Sequence, residues 1–309
     1  MEKPRHPVSG IDYPGTFQEF DKWFSSENAC LDYIAKLRWP KGFICPSCGI
    51  NTDKPSLMER GLFLCRECKR QTSITAGTLF HGSHKPLRTW FLAMWFVTSQ
   101  KHGANALGLQ RVPGLGSYNT AWNWLHKLRR AMVRHGRDQL SGAIEVDETY
   151  VGGKPRYKGQ SKRGRGTKKV PVLTLVERNG GVRTRVICDV NSKTLKGAIR
   201  KNIDTNAKIM TDDNPSYNGI GEEFCGGHES VNHSAREYAR NDGANINTAE
   251  SYFAVMKRGV YGTFHHVSTK HLPRYCDEFD FRWNYRNIDD GERTIAALAM
   301  VKGKRLSYA

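Results

Sequence analysis

The period of the hydrophobic positions changes several times along this chain. Phe17, Phe20, Trp23 and Phe24, then Cys30, Ile34 and Leu37, recur at three- and four-residue intervals, which predicts two short amphipathic helices. Leu87 to Lys101 is apolar almost throughout, with Trp90, Phe91, Met94, Trp95 and Val97, and reads as a buried helix. A shorter helix over Ala104–Arg111 follows, then the breaker run Pro113-Gly-Leu-Gly116. The next helix, to Arg130, has Ser117 placed to cap it and Trp122, Leu125 and Leu128 or Arg129 on its apolar period. From there the pattern alternates. Ala143–Val151, bounded by Gly142 and Gly152-Gly153, reads as a strand; Val170–Arg178 and Val182–Val190 read as a hairpin about Asn179-Gly180-Gly181. A helix capped by Ser192 runs to about Asn202, and Ala207–Thr211 is another strand, ending at Asp212. The last segments are helical: Thr248–Arg258, with Gly259 as its C-cap, and Thr269–Tyr285, a core helix through Leu272, Tyr275, Phe279 and Trp283. Strand, strand, strand, helix, strand predicts an α/β domain.

Cysteine spacing divides the first half. Cys45-Pro-Ser-Cys48 and Cys65-Arg-Glu-Cys68 are two CxxC pairs separated by sixteen residues. Each pair presents two thiolates on one side of a tight turn, relieved by Gly49 in the first, and two such knuckles complete a tetrahedral Zn²⁺ site. A redox dithiol is the minor alternative. Cys30, Cys188, Cys225 and Cys276 lack a partner at ligand spacing and are expected to be mostly buried small hydrophobes. Four segments result: a helical lead (1–40) packing under a zinc ribbon (41–82), a small helical, helix-turn-helix-like domain (83–140), and an α/β domain (141–309). The lead's aromatics are expected in the core rather than stacked on bases.

Charge narrows the partner. The 309 residues carry a net +18, which points to a polyanion, nucleic acid before an anionic membrane surface. No apolar run of about 18 residues predicts a membrane span, and no apolar leader follows the N-terminal Met1, so a cytoplasmic, nucleoid-associated protein is expected. Eight of the basic residues fall in 154–169: Lys154, Arg156, Lys158, Lys162, Arg163, Arg165, Lys168 and Lys169. The segment reads either as a solvated loop or, favoured by its place beside Asp147, as an arm on DNA phosphate. Asn119, Asn123, His126, Lys127 and Arg130 are candidates to face a DNA groove from the third helix; a helical linker with a solvated basic face is the alternative.

In so basic a chain the carboxylates are informative. Asp147 and Glu148 lie on the first strand, pointing to opposite faces; Asp212 ends the later strand with Asp213 pointing away; Glu250 opens a helix. Seven residues on, Lys257 is nearly superimposed on Glu250, about 10 Å along the same face. Two strand-end aspartates and a helical glutamate suit Mg²⁺ (or Mn²⁺) held beside phosphate. Asn247, one turn before Glu250, and His265 and His266, with His271, are further candidates; for the histidines a plain polar loop is as good a reading. Arg282 and Arg286 are expected to pair with acids or touch phosphate.

The string Ile144-Glu-Val-Asp-Glu-Thr-Tyr-Val-Gly-Gly153 resembles the first catalytic strand of a DDE transposase. The likeness continues through Thr211-Asp212, Asn247–Gly259, Gly262–Val267, Glu278–Arg286 and Gly303–Leu306, and at the front through Arg38-Trp-Pro and both CxxC pairs. Together these resemble the bacterial insertion-sequence transposases related to the Merlin elements, which carry an N-terminal zinc ribbon. The resemblance implies an RNase H-like catalytic fold and cut-and-paste movement of a DNA element bounded by inverted repeats. It also implies an acidic triad of Asp147, Asp212 and Glu250 followed by Lys257. Some members use Asn as the third residue, which keeps Asn247 in view. Double-stranded DNA is the implied partner, and two ends held together imply a homodimer or larger assembly. A DNA-binding regulator without catalysis and a structure-selective nuclease on the same fold are the alternatives.

Overall fold

The computed structural model describes residues 7–52, 56–58, 61–133, 138–153, 169–231 and 245–306. They divide into two units, Met1–Val133 with Asn287–Ala309, and Arg134–Arg286.

In the first unit, α1 (Phe17–Trp23) starts at a capping box formed by Thr16 and Glu19, and α2 (Glu27–Arg38) at Ser26. Phe20 and Phe24 do not pack under the ribbon. They reach α3 (Leu87–Ser99), Phe20 lying 5.0 Å from Trp95 and Phe24 4.8 Å from Phe91. The reason is α3 itself: it is apolar nearly all round and needs cover on several sides. The lead meets the ribbon through α2 and its end: Leu31 lies against Gly61, Trp39 stacks edge-on against Phe43 and Phe63, and Arg38 donates to the Ile74 carbonyl. The ribbon consists of an antiparallel pair, β1 (Phe43–Ile44) with β2 (Asn51–Thr52), and an antiparallel three-stranded sheet of β3 (Ser56–Met58), β4 (Leu62–Leu64) and β5 (Gln71–Ser73). After α3 come α4 (Ala106–Arg111) and α5 (Tyr118–Ala131), the latter capped by the Ser117 side chain as its sequence predicts.

The second unit is built on a five-stranded sheet. β6 (Ala143–Val151), β7 (Val170–Glu177) and β8 (Val182–Val186) form an antiparallel meander, turning between the last two with Asn179 at φ 60°. α6 (Ser192–Asn202), capped by Asn191 rather than Ser192, leads to β9 (Lys208–Asp212), which runs parallel to β6. β10 (His228–Val231), which the hydrophobic pattern does not announce, adds parallel to β9 and completes the order β10-β9-β6-β7-β8. The side chains of α6 and of Ile144, Val146, Leu173, Leu175 and Ile209 form the core on one face. α7 (Asn247–Arg258) and α8 (Leu272–Asn284) bury Ala249, Tyr252, Phe253 and Phe279 against Val151, Val172 and Val176 on the other. Each such side chain taken fully out of water contributes about 1.5–3 kcal/mol. Asp280 of α8 accepts from the Thr184 backbone N–H of β8 at 3.0 Å and the Tyr252 hydroxyl of α7 at 2.9 Å, so a buried carboxylate fixes both helices to the sheet edge. Gly259 follows the last residue of α7 at the cap position as expected, but its backbone is right-handed helical rather than left-handed, and a π-helical turn carries the chain on to Phe264.

The expected α/β domain over 141–309 ends early. From Asn287 the chain belongs to the first unit, where α9 (Asp290–Ala299) lies along α3 and Thr294 shares a 2.7 Å hydrogen bond with Thr98. Gly291 packs so close to Pro14 that a Cβ there would sit 1.9 Å from its carbonyl oxygen. An all-round apolar α3 is again the cause, since the two lead helices leave one side of it for Ala297 and Leu298 to cover. No described helix is long and apolar enough to cross a membrane.

Candidate active site and metal-binding ribbon

On β6, Glu145 and Asp147 point toward α7 and Glu148 toward the α6 face, as strand alternation requires. The parallel β6–β9 register pairs Ala143 with Lys208, Ile144 with Ile209 and Glu145 with Met210. The last paired rung of this ladder is Glu145–Met210, and Asp147 and Asp212 each lie two residues beyond it on their strands. Asp213 is exposed, on the far side of the strand end.

Glu250 lies in the first turn of α7, on its exposed side. Burial raises the Asp147 carboxyl well above the usual carboxylate range, and the charges of Glu148, Asp212 and Glu250 raise it further. The strand ends and the helix therefore bring Asp147, Asp212 and Glu250 into one electrostatic field. Lys257 belongs to it too. Burial lowers the proton affinity of its ammonium group and nearby Lys169 adds to that, while Asp147 and Glu250 oppose it. Its stem is held by Phe253, whose ring centre is 5.7 Å from Nζ.

The other sequence candidates divide. Lys169 is in the same field, but Lys154, Arg156, Lys158, Lys162, Arg163, Arg165 and Lys168 lie outside the described residues. Asn247 is exposed at the first residue of α7. His265, at φ 58°, and His266 follow the π turn, both exposed; the His265 ring bonds the Tyr261 carbonyl. Arg282 is paired with Glu278 at 2.5 Å inside α8, and Arg286 covers Trp283.

Sequence reasoning passed over two carboxylates. Glu145, fully buried, accepts from the backbone N–H groups of Thr248 and Ala249 at 2.8 and 2.9 Å and pairs with Arg178 at 2.8 Å. Glu148, read only as the opposite-face neighbour of Asp147, accepts from Asn214 Nδ2 at 3.0 Å and the Tyr217 hydroxyl at 2.7 Å. The available signal was an acid inside an otherwise buried strand, two residues from Asp147 and on its face.

An all-oxygen donor set in which the neighbouring charges raise the proton affinity of Asp147 fits a hard divalent cation such as Mg²⁺ or Mn²⁺. The three carboxylates are more loosely gathered than the cysteines. Among the described residues, Cys45, Cys48, Cys65 and Cys68 are the group whose ligand atoms all lie within 4.8 Å of one another. Cys45 and Cys68 Sγ are 3.6 Å apart, as are Cys48 and Cys65 Sγ, close to the roughly 3.8 Å edge of a tetrahedron with Zn–S of about 2.3 Å. The two knuckles repeat one geometry: Gly49 N–H donates to Cys45 O at 2.9 Å and Lys69 N–H to Cys65 O at 3.0 Å, with φ of 73° and 58°. Backbone N–H groups of Cys48 and Ser47 aimed at Cys45 Sγ lower its thiol pKa, and that of Cys68, with Glu67 assisting, does the same at Cys65. At Cys48 the Ile50 N–H acts in the same direction, but burial and the neighbouring sulfurs outweigh it and push the thiol up to about 12, a repulsion that a bound cation would relieve. The donor set thus fits Zn²⁺ as thiolate ligands. Of the remaining cysteines, Cys30 and Cys276 are buried as expected, whereas Cys188 and Cys225 are exposed.

On α5, Asn119 and Arg130 are exposed and Asn123 and Lys127 half-buried, forming one stripe. His126 is not part of it. It is fully buried, its ring 4.2 Å from that of Trp122. Trp124, stacked 3.4 Å from Trp90 of α3, and His126 point to nearly opposite sides of α5, so this helix is buried on more than one side.

Residues 25–71 match the transposase zinc-ribbon domain and residues 139–284 the ISXO2-like transposase domain, together more than half of the chain. An uncharacterised protein in the transposable element ISH50 of Halobacterium salinarum is 28% identical over 278 residues, 84% of this chain and 92% of that protein. A pre-cleavage Mos1 transpososome is 13% identical over 68% of this chain and 75% of its own, with a TM-score of 0.27, too low to bear on the fold. Two family domains in the expected order, the four-cysteine cluster in the first and a relative matched over nearly its whole length lead to one assignment: the chain belongs to the insertion-sequence transposases that join an N-terminal zinc ribbon to an ISXO2-like DDE transposase domain.

Proposed function

We propose that the chain binds the terminal inverted repeats of its element and catalyses metal-dependent cleavage and strand transfer of DNA, the cut-and-paste reaction. The observation that carries this reading is the shared field of Asp147, Asp212 and Glu250, drawn from two adjacent strand ends and one helix. The strand order β10-β9-β6-β7-β8, three antiparallel strands extended by two parallel ones, is what an RNase H-like fold calls for.

In this reading Asp147, Asp212 and Glu250 hold Mg²⁺ or Mn²⁺. When bound there, such ions would activate water or a DNA 3′-hydroxyl and stabilise the leaving oxygen of an in-line displacement. Lys257 and Lys169 set positive charge beside those carboxylates, where a backbone phosphate is held. The basic segment 154–169 supplies further charge for DNA phosphates, and Asn119, Asn123, Lys127 and Arg130 of α5 read the element's ends, helped by the zinc ribbon. Two ends brought together require at least a homodimer on DNA.

The test is cleavage and strand transfer on duplexes carrying the sequences that flank the coding region, with Mg²⁺. Wild type is expected to cut and join them. Asp147→Ala is expected to lose about 10³-fold or more in rate, roughly 4 kcal/mol of barrier, with unchanged DNA binding. Equal rates in the two proteins would remove the carboxylates from the reaction. Binding without cleavage by wild type would leave a transposase-derived regulator.

A further inference from the structure

Asp147 is flanked by two acids whose hydrogen bonds lead to the two elements bearing the other carboxylates. Glu145 is completely buried, and four donors converge on it. Thr248 and Ala249 give backbone N–H groups to Oε2, and Thr248 Oγ1 and Arg178 Nε, each at 2.8 Å, bond Oε1. Arg178 also reaches past the carboxylate to the Asn245 carbonyl at 2.9 Å, just before α7 begins. α7 has Ile246 at its N-cap position and no capping side chain of its own. The Asn247 N–H donates to Asn245 Oδ1 at 3.3 Å, and the free N–H groups of Thr248 and Ala249 are satisfied by a carboxylate from β6, 103 residues before Thr248 in the chain. Glu250 is the residue after Ala249.

On the other face of the strand, Glu148 does the same for Asp212. Its two oxygens take the Asn214 side-chain amide and the Tyr217 hydroxyl, both in the turn that follows β9. The backbone N–H of the same Asn214 donates to Asp212 Oδ1 at 3.2 Å. One short stretch of β6 thus carries a central aspartate and two clamps.

We propose that Glu145 and Glu148 are positioning residues: Glu145 fixes the start of α7, and so Glu250, against β6, and Glu148 fixes the turn after β9, and so Asp212, each relative to Asp147. The inference rests on the reading of Asp147, Asp212 and Glu250 as a divalent-cation site. A salt bridge serving the core alone would leave cation affinity untouched when loosened; a clamp on the ligands changes it.

The experiment is a Mn²⁺ titration of the zinc-loaded full-length protein, followed by electron paramagnetic resonance of the free ion, with no DNA present. Asp147→Asn is expected to abolish binding. Glu145→Gln and Glu148→Gln keep volume but lose charge and acceptor capacity, and are expected to weaken Mn²⁺ about 10-fold. Two gentler variants guard against loss of the fold. Thr248→Val removes the hydroxyl bond to Glu145, and Tyr217→Phe that to Glu148; each is expected to weaken Mn²⁺ roughly 2- to 5-fold, with a Tm close to wild type. Wild-type affinity in all four, with binding lost in Asp147→Asn, overturns the clamps and leaves the site standing. Wild-type affinity in Asp147→Asn means the site reading itself is wrong, and the clamps fall with it.

Discussion

The two metal-fitting regions of this protein are assembled in opposite ways. In the ribbon each pair of cysteines is placed by its own turn: four residues, one left-handed position and two backbone hydrogen bonds make a knuckle, and the same geometry is written twice. Only the meeting of two finished halves is left to the fold. At the carboxylates nothing is placed locally. Asp147, Asp212 and Glu250 come from a strand, its parallel neighbour and a helix about a hundred residues on, and each depends on contacts that exist only once the sheet is built. Backbone N–H groups lower the thiol pKa of Cys45 and Cys65, while at Cys48 the Ile50 N–H is outweighed by burial and the neighbouring sulfurs, which push it up to about 12; burial and the charges of Glu148, Asp212 and Glu250 raise Asp147. Both groups carry repulsion that a cation relieves; what differs is that local turns place the thiols and distant elements place the carboxylates.

The largest effect should come from breaking the local site. Cys45→Ser is expected to take zinc from about one per chain to near none, because a structural zinc contributes on the order of 10 kcal/mol to the segment that holds it. Protease cleavage should then appear within 41–75, while Mn²⁺ binding at the carboxylates persists. Loss of both metals together would show that the two sites are not independent.

A smaller effect tests the repulsion. The folded state raises the Asp147 pKa, so this group stabilises the fold below the ordinary carboxylate range, and that contribution is lost as pH rises through the raised value. With zinc kept and other divalent ions removed, Asp147→Asn should melt above wild type at pH 7, with the gap closing as pH falls toward about 4. Added Mn²⁺ should reverse the order, since it stabilises only the protein that binds it. Parallel melting curves at every pH would deny Asp147 its crowded field.

The smallest change sharpens the likeness of the knuckles. Lys69 holds φ 58° at the place where the first knuckle has Gly49. Lys69→Gly should relieve up to about 1 kcal/mol of backbone strain, partly offset by the entropy of the unfolded chain. Zinc affinity, measured by competition with a chelator, should tighten by no more than about 5-fold; weaker binding would mean that the lysine side chain matters to the knuckle.

The sequence by itself determined what depends on neighbours along the chain. CxxC spacing and a glycine after the first pair gave the ribbon; alternation and Asn-Gly-Gly gave the meander of β6, β7 and β8; helical period and Ser117 gave α5 and its start. The places of Asp147 and Asp212 on their strands and of Glu250 in the first turn of α7 were readable too, because strand ends and helix starts are local events. Tertiary structure alone decided the remainder. β10 is four residues with no pattern of its own and exists because β9 offers it an edge. Residues after Arg286 leave the α/β unit because α3 has an apolar side still open. His126 is buried although it lies about 200° around α5 from Trp124, and Gly259 is right-handed helical where a π turn carries the chain onward. Glu145 and Glu148 acquire their partners from Thr248, Ala249, Asn214 and Tyr217, residues that no spacing along the chain connects to them. Hydrogen-bond donors at a helix start or in a turn must find an acceptor somewhere, but which acceptor is settled by the packing of elements far apart in sequence.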